Sequence, residues 1–343
     1  PIRERPRALR RARWRPPLDA AARLRRCRPA PHGIMGMMAT PSSPRREAGG
    51  LLETLGQLAV LPAIYVAAAT ALLAALADAT ISPAAIAYSA LVAWPVYLLD
   101  RVKWHDAWLD PADTAAHPRR QALLAPRRVA IRAMSVAMLA AASLLAWRFA
   151  ASARPGLSAL AISMPILAAI GAWIYAGRPR RRLPRPKDVL PLKSPAVGVA
   201  IAAFAAVATL AFEARNAANT SMFEIFAPPA LVLATAAIAV RVAGDAIWCD
   251  LDDAESDRAH RTASVPAVLG PLAAWWLGCG LALTAAVLAL AARPDAVGVT
   301  AAMAASIGTI ALWLQRPRPV RDRAELRLPI EAAIVLVVQA LIT

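Results

Sequence analysis

The feature that most constrains this chain is a series of long apolar runs, many of about the 20 residues that an α-helix needs to cross a bilayer. They lie at 51–76, 82–99, 129–149, 156–176, 195–214, 227–244, 265–292, 297–314 and 328–343. An apolar content of 59% over 343 residues fits no ordinary soluble domain. Long stretches of strict alternation are absent, so a transmembrane β-barrel is not expected. The reading is an all-α, polytopic bundle of about nine transmembrane helices. Alanine dominates the runs, and small side chains let membrane helices approach closely. Pro62, Pro95 and Pro165 fall inside spans, where neighbouring helices can satisfy the carbonyls they free. The last span is short and reads as a partial crossing.

The formal charge of +17 resolves into two parts. Residues 1–46 carry thirteen arginines against Glu4 and Asp19, with no apolar core of a secretory signal. Either this is an over-extended reading frame whose true start is Met35, Met37 or Met38, or it is a disordered basic arm on anionic lipid. The expected division is therefore a tail over 1–46 and a membrane domain over 47–343. The other cations cluster in alternate loops, after spans two, four, six and eight. Positive-inside bias makes those loops cytoplasmic, with the N-terminus inside and the C-terminus outside. That distribution speaks against a nucleic-acid partner. Cys27, Cys249 and Cys279 have neither the number nor the spacing of a disulfide framework or zinc site.

Three segments carry chemistry. The first is DAIWCDLDDAESDRAHRTASVPAVLG, 245–270. If span six extends as a helix, Asp250, Asp253 and Asp257 share one face. Stacked carboxylates near an apolar interior repel, and a divalent cation such as Mg²⁺ relieves them. Solvated loop acids with Arg partners are the plainer alternative. The second is YLLDRVKWHDAWLDPADTAAHPRR, 97–120, with Asp100, Asp106, Asp110 and Asp113 among Arg101, Lys103 and His105. Alone it reads as a salt-bridged helix end; with the first it could hold a polyanion through metal ions. The third, 175–193, is rich in Arg and Lys, and Lys193 at the mouth of span five is its best candidate for phosphate contact. His32, His105, His117 and His260 form no ligand cluster in sequence.

This organisation resembles the UbiA superfamily of intramembrane prenyltransferases, whose acidic motifs follow helices two and six. Asp253, Asp257, Ser264, Pro266 and Gly270 match that family's second motif, and Asp250 an additional Asp found in many members. The first motif diverges. Asp100-Arg101 fits its Asp-Arg pair, but Val96 stands for Asn and Trp104 for the second Asp. Asp106 and Asp110 restore the DxxxD spacing with Val102 in place of Asn. Tyr175 and Lys193 correspond loosely to the family's Tyr and Lys between helices four and five.

The resemblance implies a Mg²⁺-dependent transferase in the inner membrane, with its site on the cytoplasmic side. It would move a polyprenyl group from a polyprenyl diphosphate to a hydrophobic, aromatic or lipid-like acceptor. Asp250, Asp253 and Asp257 would hold one metal, and Asp100 with Asp106 another. Asp100, Asp253 and Asp257 would carry catalysis, with Arg101, Lys193 and Tyr175 on the diphosphate. A degenerate member that binds or carries an isoprenoid diphosphate without turnover is the alternative.

Overall fold

In the computed structural model the described residues are 50–109, 114, 117–150, 155–176, 189, 193–213, 228–260, 262–314 and 320–342. The basic tail, Asp110, Asp113 and most of 177–192 lie outside them. Every expected span is helical, and the described residues contain no strand.

The chain opens with α1 (Leu51–Gln57) and α2 (Val60–Leu76), which meet at 79°. Ala59 makes the break, in the left-handed region at φ 59°. The freed carbonyls are satisfied from α3 (Pro83–Val102): Trp94 Nε1 donates to Leu58 O at 2.8 Å, and Arg101 Nη1 to Gln57 O at 2.6 Å. α3 starts at Pro83 behind Ser82, whose Oγ accepts from the Ala85 amide. A 3₁₀ turn (Asp106–Trp108) and α4 (Pro118–Leu124) lead into α5 (Arg128–Phe149) and α6 (Pro155–Ala176). Next come α7 (Lys193–Phe212), α8 (Pro229–Cys249) and the short α9 (Ala254–His260) and α10 (Val265–Leu269). The chain ends with α11 (Pro271–Ala292), α12 (Ala296–Leu314) and α13 (Arg321–Ile342).

The protein is a multi-pass membrane protein. Among the described residues seven helices are long and apolar enough to cross a bilayer, or eight where the bent α1–α2 pair counts as one span. α13 matches the ninth expected span but falls short of that apolarity, because its first half carries Arg321, Asp322, Arg323, Glu325, Arg327 and Glu331. Three boundaries differ from the sequence reading. Span seven is not one helix from 265, since Gly270 at φ 88° separates α10 from α11. Span six runs on to Cys249, which brings Asp245 inside the helix. The last helix begins at Arg321, ahead of the expected start at 328, and has 22 residues.

From α2 onward the long helices pack in chain order, each on the next, and α13 closes the ring against α2. α2 also packs across the ring on α7, which explains why fourteen of its seventeen residues are buried. Small residues permit the tightest approach. A Cβ on Gly198 of α7 would lie 2.3 Å from the Ala239 carbonyl oxygen of α8.

A buried layer of charged side chains joins four of these helices. Arg241 Nη2 lies 2.8 Å from Glu331 Oε2, and Arg327 Nη1 lies 2.7 Å from Asp245 Oδ1. Tyr65 donates to Asp245 Oδ2 at 2.8 Å. Arg327 also donates to Thr309 Oγ1 at 2.6 Å and sits 4.4 Å over the Trp248 ring. Two arginines and two acids cancel, so no net charge is buried there. The layer ties α2, α8, α12 and α13 together.

Candidate functional site

The acidic segment after α8 does not continue that helix. α8 ends at Cys249, a turn covers 251–253, and α9 starts at Ala254. The expected single helical face of Asp250, Asp253 and Asp257 is therefore replaced by a turn that sends its acids in two directions. Asp250 and Asp257 converge on Lys193, the first residue of α7, whose Nζ is 2.8 Å from Asp250 Oδ1 and 3.8 Å from Asp257 Oδ2. Burial raises the Asp250 carboxyl above its ordinary range, and the Lys193 charge opposes that rise. Its Oδ2 is buried without a hydrogen-bond partner. Tyr175, at the end of α6, donates to the backbone oxygen of Lys193 at 3.3 Å. Four expected site residues thus come together: Tyr175, Lys193, Asp250 and Asp257.

Asp252 and Asp253 face the other way, to the start of α13. The amides of Val320 and Arg321 donate to the Asp252 carboxylate at 2.9–3.0 Å, capping that helix. Asp253 pairs with Arg321 and lies 3.1 Å from His117 Nε2. Burial would raise the Asp253 carboxyl, but the His117 ring and the Arg321 charge beside it hold it well below the usual carboxylate range. His117 belongs to the loop after α3. The two chemistry-bearing segments therefore do meet, through a histidine rather than through paired acids.

The first cluster is tied up separately. Asp100 pairs with Lys103, with its side chain 43% exposed, and lines a narrow cleft with Trp104, Trp108 and Trp173. Asp106 is 61% exposed and is held by Arg132 at 2.6 Å and Arg128 at 3.5 Å. The Arg132 hydrogen bond holds its carboxyl below the ordinary range. Arg101 turns to the carbonyls at the end of α1.

A divalent cation is tested differently by the two clusters. No group of three or more His, Cys, Asp and Glu is arranged to hold a metal among the described residues. Asp100 and Asp106 do not fit as a pair, since each is committed to its own cations and Asp106 stands in solvent. Asp250 and Asp257 do fit: they already converge on one positive charge, and Asp250 Oδ2 is a buried acceptor with nothing to accept.

Lys193 and Asp250 open on a cavity of about 170 Å³ that also touches Tyr65, Tyr97, Asp245, Cys249 and Glu325. A wider apolar groove of about 590 Å³ runs between α5 and α6 from Trp104 and Trp108 to Ile166 and Ile170.

Sequence reasoning passed over His117, Arg321, Asp245 and Glu325. For Asp245 a signal was present: Arg241 and Asp245 are an i, i+4 pair of charges inside an apolar run. Arg321 and Glu325 lie among the charges just ahead of the last apolar stretch, where interfacial anchoring is the usual reading.

No family model matches the sequence, and no curated protein matches it. Among solved structures, the apo structure of a UbiA homolog from Aeropyrum pernix K1 superposes with a TM-score of 0.56. The superposition covers 81% of this chain and 98% of that one, at 19% identity. A structure titled for digeranylgeranylglyceryl phosphate synthase in membranes covers 83% of this chain and 96% of its own at 16% identity, with a TM-score of 0.47. The ring of membrane helices in this chain is the fold of a UbiA homolog.

Proposed function

We propose that this chain is a member of the UbiA superfamily and a prenyltransferase that uses a polyprenyl diphosphate and a hydrophobic acceptor. The observation that carries the reading is the Lys193 ammonium held by Asp250 and Asp257 at the mouth of a polar-walled cavity inside an apolar ring. Lys193 would exchange its carboxylates for the diphosphate and neutralise charge as the allylic C–O bond breaks. Tyr175 orients α7 at that point through its hydrogen bond to the Lys193 carbonyl. The apolar helices would hold the isoprenoid tail and keep water from the allylic cation.

Asp250 and Asp257 would hold Mg²⁺, with Asp253 fixing the turn through Arg321 and His117. The ion would supply Lewis-acid stabilisation of the leaving diphosphate. The cationic loops after α3 and α6 support a cytoplasmic site in the inner membrane.

A second reading, an isoprenoid-diphosphate binder without turnover, is favoured by the first cluster, where Asp106 is bound to Arg128 and Arg132. Farnesyl diphosphate binding and diphosphate release, each with and without Mg²⁺, separate the two. Asp257→Asn and Asp250→Asn should abolish Mg²⁺-dependent binding, while Asp295→Asn, on the exposed turn before α12, should not. Binding that ignores Mg²⁺ and all three substitutions would remove the transferase reading.

A further inference from the structure

Two grooves mark the outside of the ring, and their chemistry differs. The one between α7 and α8 has a volume of about 530 Å³, and its lining holds no aromatic and no charged side chain. Any bilayer chain can fill it. The one between α5 and α6, of about 590 Å³, has a graded lining. At the end nearest the loop after α3 stand Trp104, Trp108 and Trp173, with the Trp108 and Trp173 rings 6.3 Å apart. Deeper in come Val136, Leu139, Ile166 and Ile170. The Ser143 hydroxyl at that depth is spent on the Ile162 carbonyl at 3.0 Å.

Cations stand beyond the tryptophans. Arg132 lies one turn ahead of Val136 on α5. It donates to the carbonyls of Lys103 and Val102 at 2.6 and 3.1 Å and to Asp106 at 2.6 Å, which bolts the turn carrying Trp104 and Trp108 to α5. Arg128, a turn further out, reaches Asp106 only at 3.5 Å. Lys103 is cancelled by Asp100. Arg128 and Arg132 thus share one carboxylate, itself 61% exposed, and one positive charge is in excess here among the described residues. Cation, then aromatic, then aliphatic is the order of phosphate, interface and acyl chain in an anionic phospholipid. Size agrees. A cavity of about 150 Å³ takes a six-carbon ring, so one of 590 Å³ has room for roughly twenty carbons. From Val136 to Ser143 the groove follows only about 10 Å of helix, which keeps it within one leaflet. A single extended tail cannot place that many carbons in that length, so the shape fits the paired chains of a phospholipid.

We propose that the α5–α6 groove is a binding site for one anionic phospholipid of the leaflet on the side of the cationic loops. Its phosphate meets Arg128, displacing the distant Asp106 carboxylate, and its chains lie on Leu139, Ile166 and Ile170. The bound lipid braces the Trp104–Trp108 turn against α6. The site is independent of the transferase reading, since no substrate takes part in it.

The test uses the full chain in nanodiscs of equal parts dioleoylphosphatidylglycerol and dioleoylphosphatidylcholine, whose chains are identical. Native mass spectrometry counts the lipids that stay on the protein after transfer to detergent. Wild type should keep one phosphatidylglycerol, preferred over phosphatidylcholine about fivefold, the worth of one cation at a membrane surface. Arg128→Gln should lose that preference, and Arg128→Lys should keep it. Ala140→Phe fills the groove from an exposed position and should retain neither lipid. Ala203→Phe, in the α7–α8 groove, should retain phosphatidylglycerol as wild type does. Arg128 and Ala140 lie about 18 Å apart along α5, so either variant tests the site if the other fails to fold. Equal retention of both lipids by wild type, an undiminished preference in Arg128→Gln, or undiminished lipid on Ala140→Phe would each overturn the site. So would one-for-one displacement of the lipid by farnesyl diphosphate, which would make the groove a seat for the donor's tail. Displacement by millimolar glycerol 1-phosphate would overturn it too, since the headgroup alone would then suffice.

Discussion

Arg327 Nη1 lies 2.7 Å from Asp245 Oδ1, and this buried pair ties α13 to α8 at a residue that shares a cavity with Lys193 and Asp250. The same guanidinium covers the face of Trp248, whose indole fits only because residue 278 has no side chain; a Cβ there would be 2.3 Å from Trp248 Nε1. Charge pairing and packing therefore fix Asp245 in the wall of the cavity.

Removing one member of this pair should be worse than removing both. Arg327→Met leaves the Asp245 oxygen without its partner and should cost about 3–5 kcal/mol, the scale for an orphaned buried charge. Arg327→Met with Asp245→Asn should recover part of that loss. Thermal unfolding in detergent of the single and double variants measures it, and additive losses would show the pair to be uncoupled.

Lys193→Met should weaken both the fold and the site. Asp250 and Asp257 would face each other without the ammonium, and losing a hydrogen bond to a charged group costs about 1.5–3 kcal/mol. Farnesyl diphosphate binding should fall at least tenfold. A variant with wild-type unfolding temperature and wild-type binding would show that the pairing carries no energy.

Gly198→Ala tests whether the α7–α8 approach positions Lys193. The new methyl would meet the backbone oxygen of Ala239, which cannot rotate away, so α7 must shift from α8. Overpacking of this kind costs about 1–3 kcal/mol. Diphosphate affinity should drop together with stability, since Lys193 starts the displaced helix and Asp250 ends the other.

Asp253 predicts a pH dependence. Its folded value lies below the unfolded one of about 3.9, so its pairing stabilises fully above that value. The contribution is lost as pH falls through the folded value. The wild-type unfolding temperature should therefore fall between about pH 5 and pH 3. Asp253→Asn should be less stable at pH 7 and should lose less over the same interval. Parallel curves for the two would exclude Asp253 from the acid response.

The ring was legible because long apolar runs mark the helices that can cross a bilayer, although the first and seventh expected spans are each broken into two helices. What escaped was the direction of individual acids. Asp250, Asp252, Asp253 and Asp257 look alike in a string, yet a turn after Cys249 sends two to Lys193 and two to the start of α13. Those partners lie 57 or more residues away, and spacing along one helix cannot report them. Lys193 was legible as a candidate because it lies at the mouth of a span, and Tyr175 only through the family resemblance. Arg101 was expected at a diphosphate, and it donates to the carbonyls at the end of α1, because the chain breaks at Ala59 where the sequence reading had one continuous span. Glu325 stood too far in sequence from every acidic motif to be grouped with them.

Lys193 also bears on how the protein is made. Asp250 and Asp257 have a counter-charge supplied by the chain itself, so the nascent bundle can close this corner without waiting for an ion or a lipid ligand. Newly inserted copies should escape membrane quality-control proteases equally well in magnesium-starved and magnesium-replete cells. A copy with Met at 193 should be cleared in both.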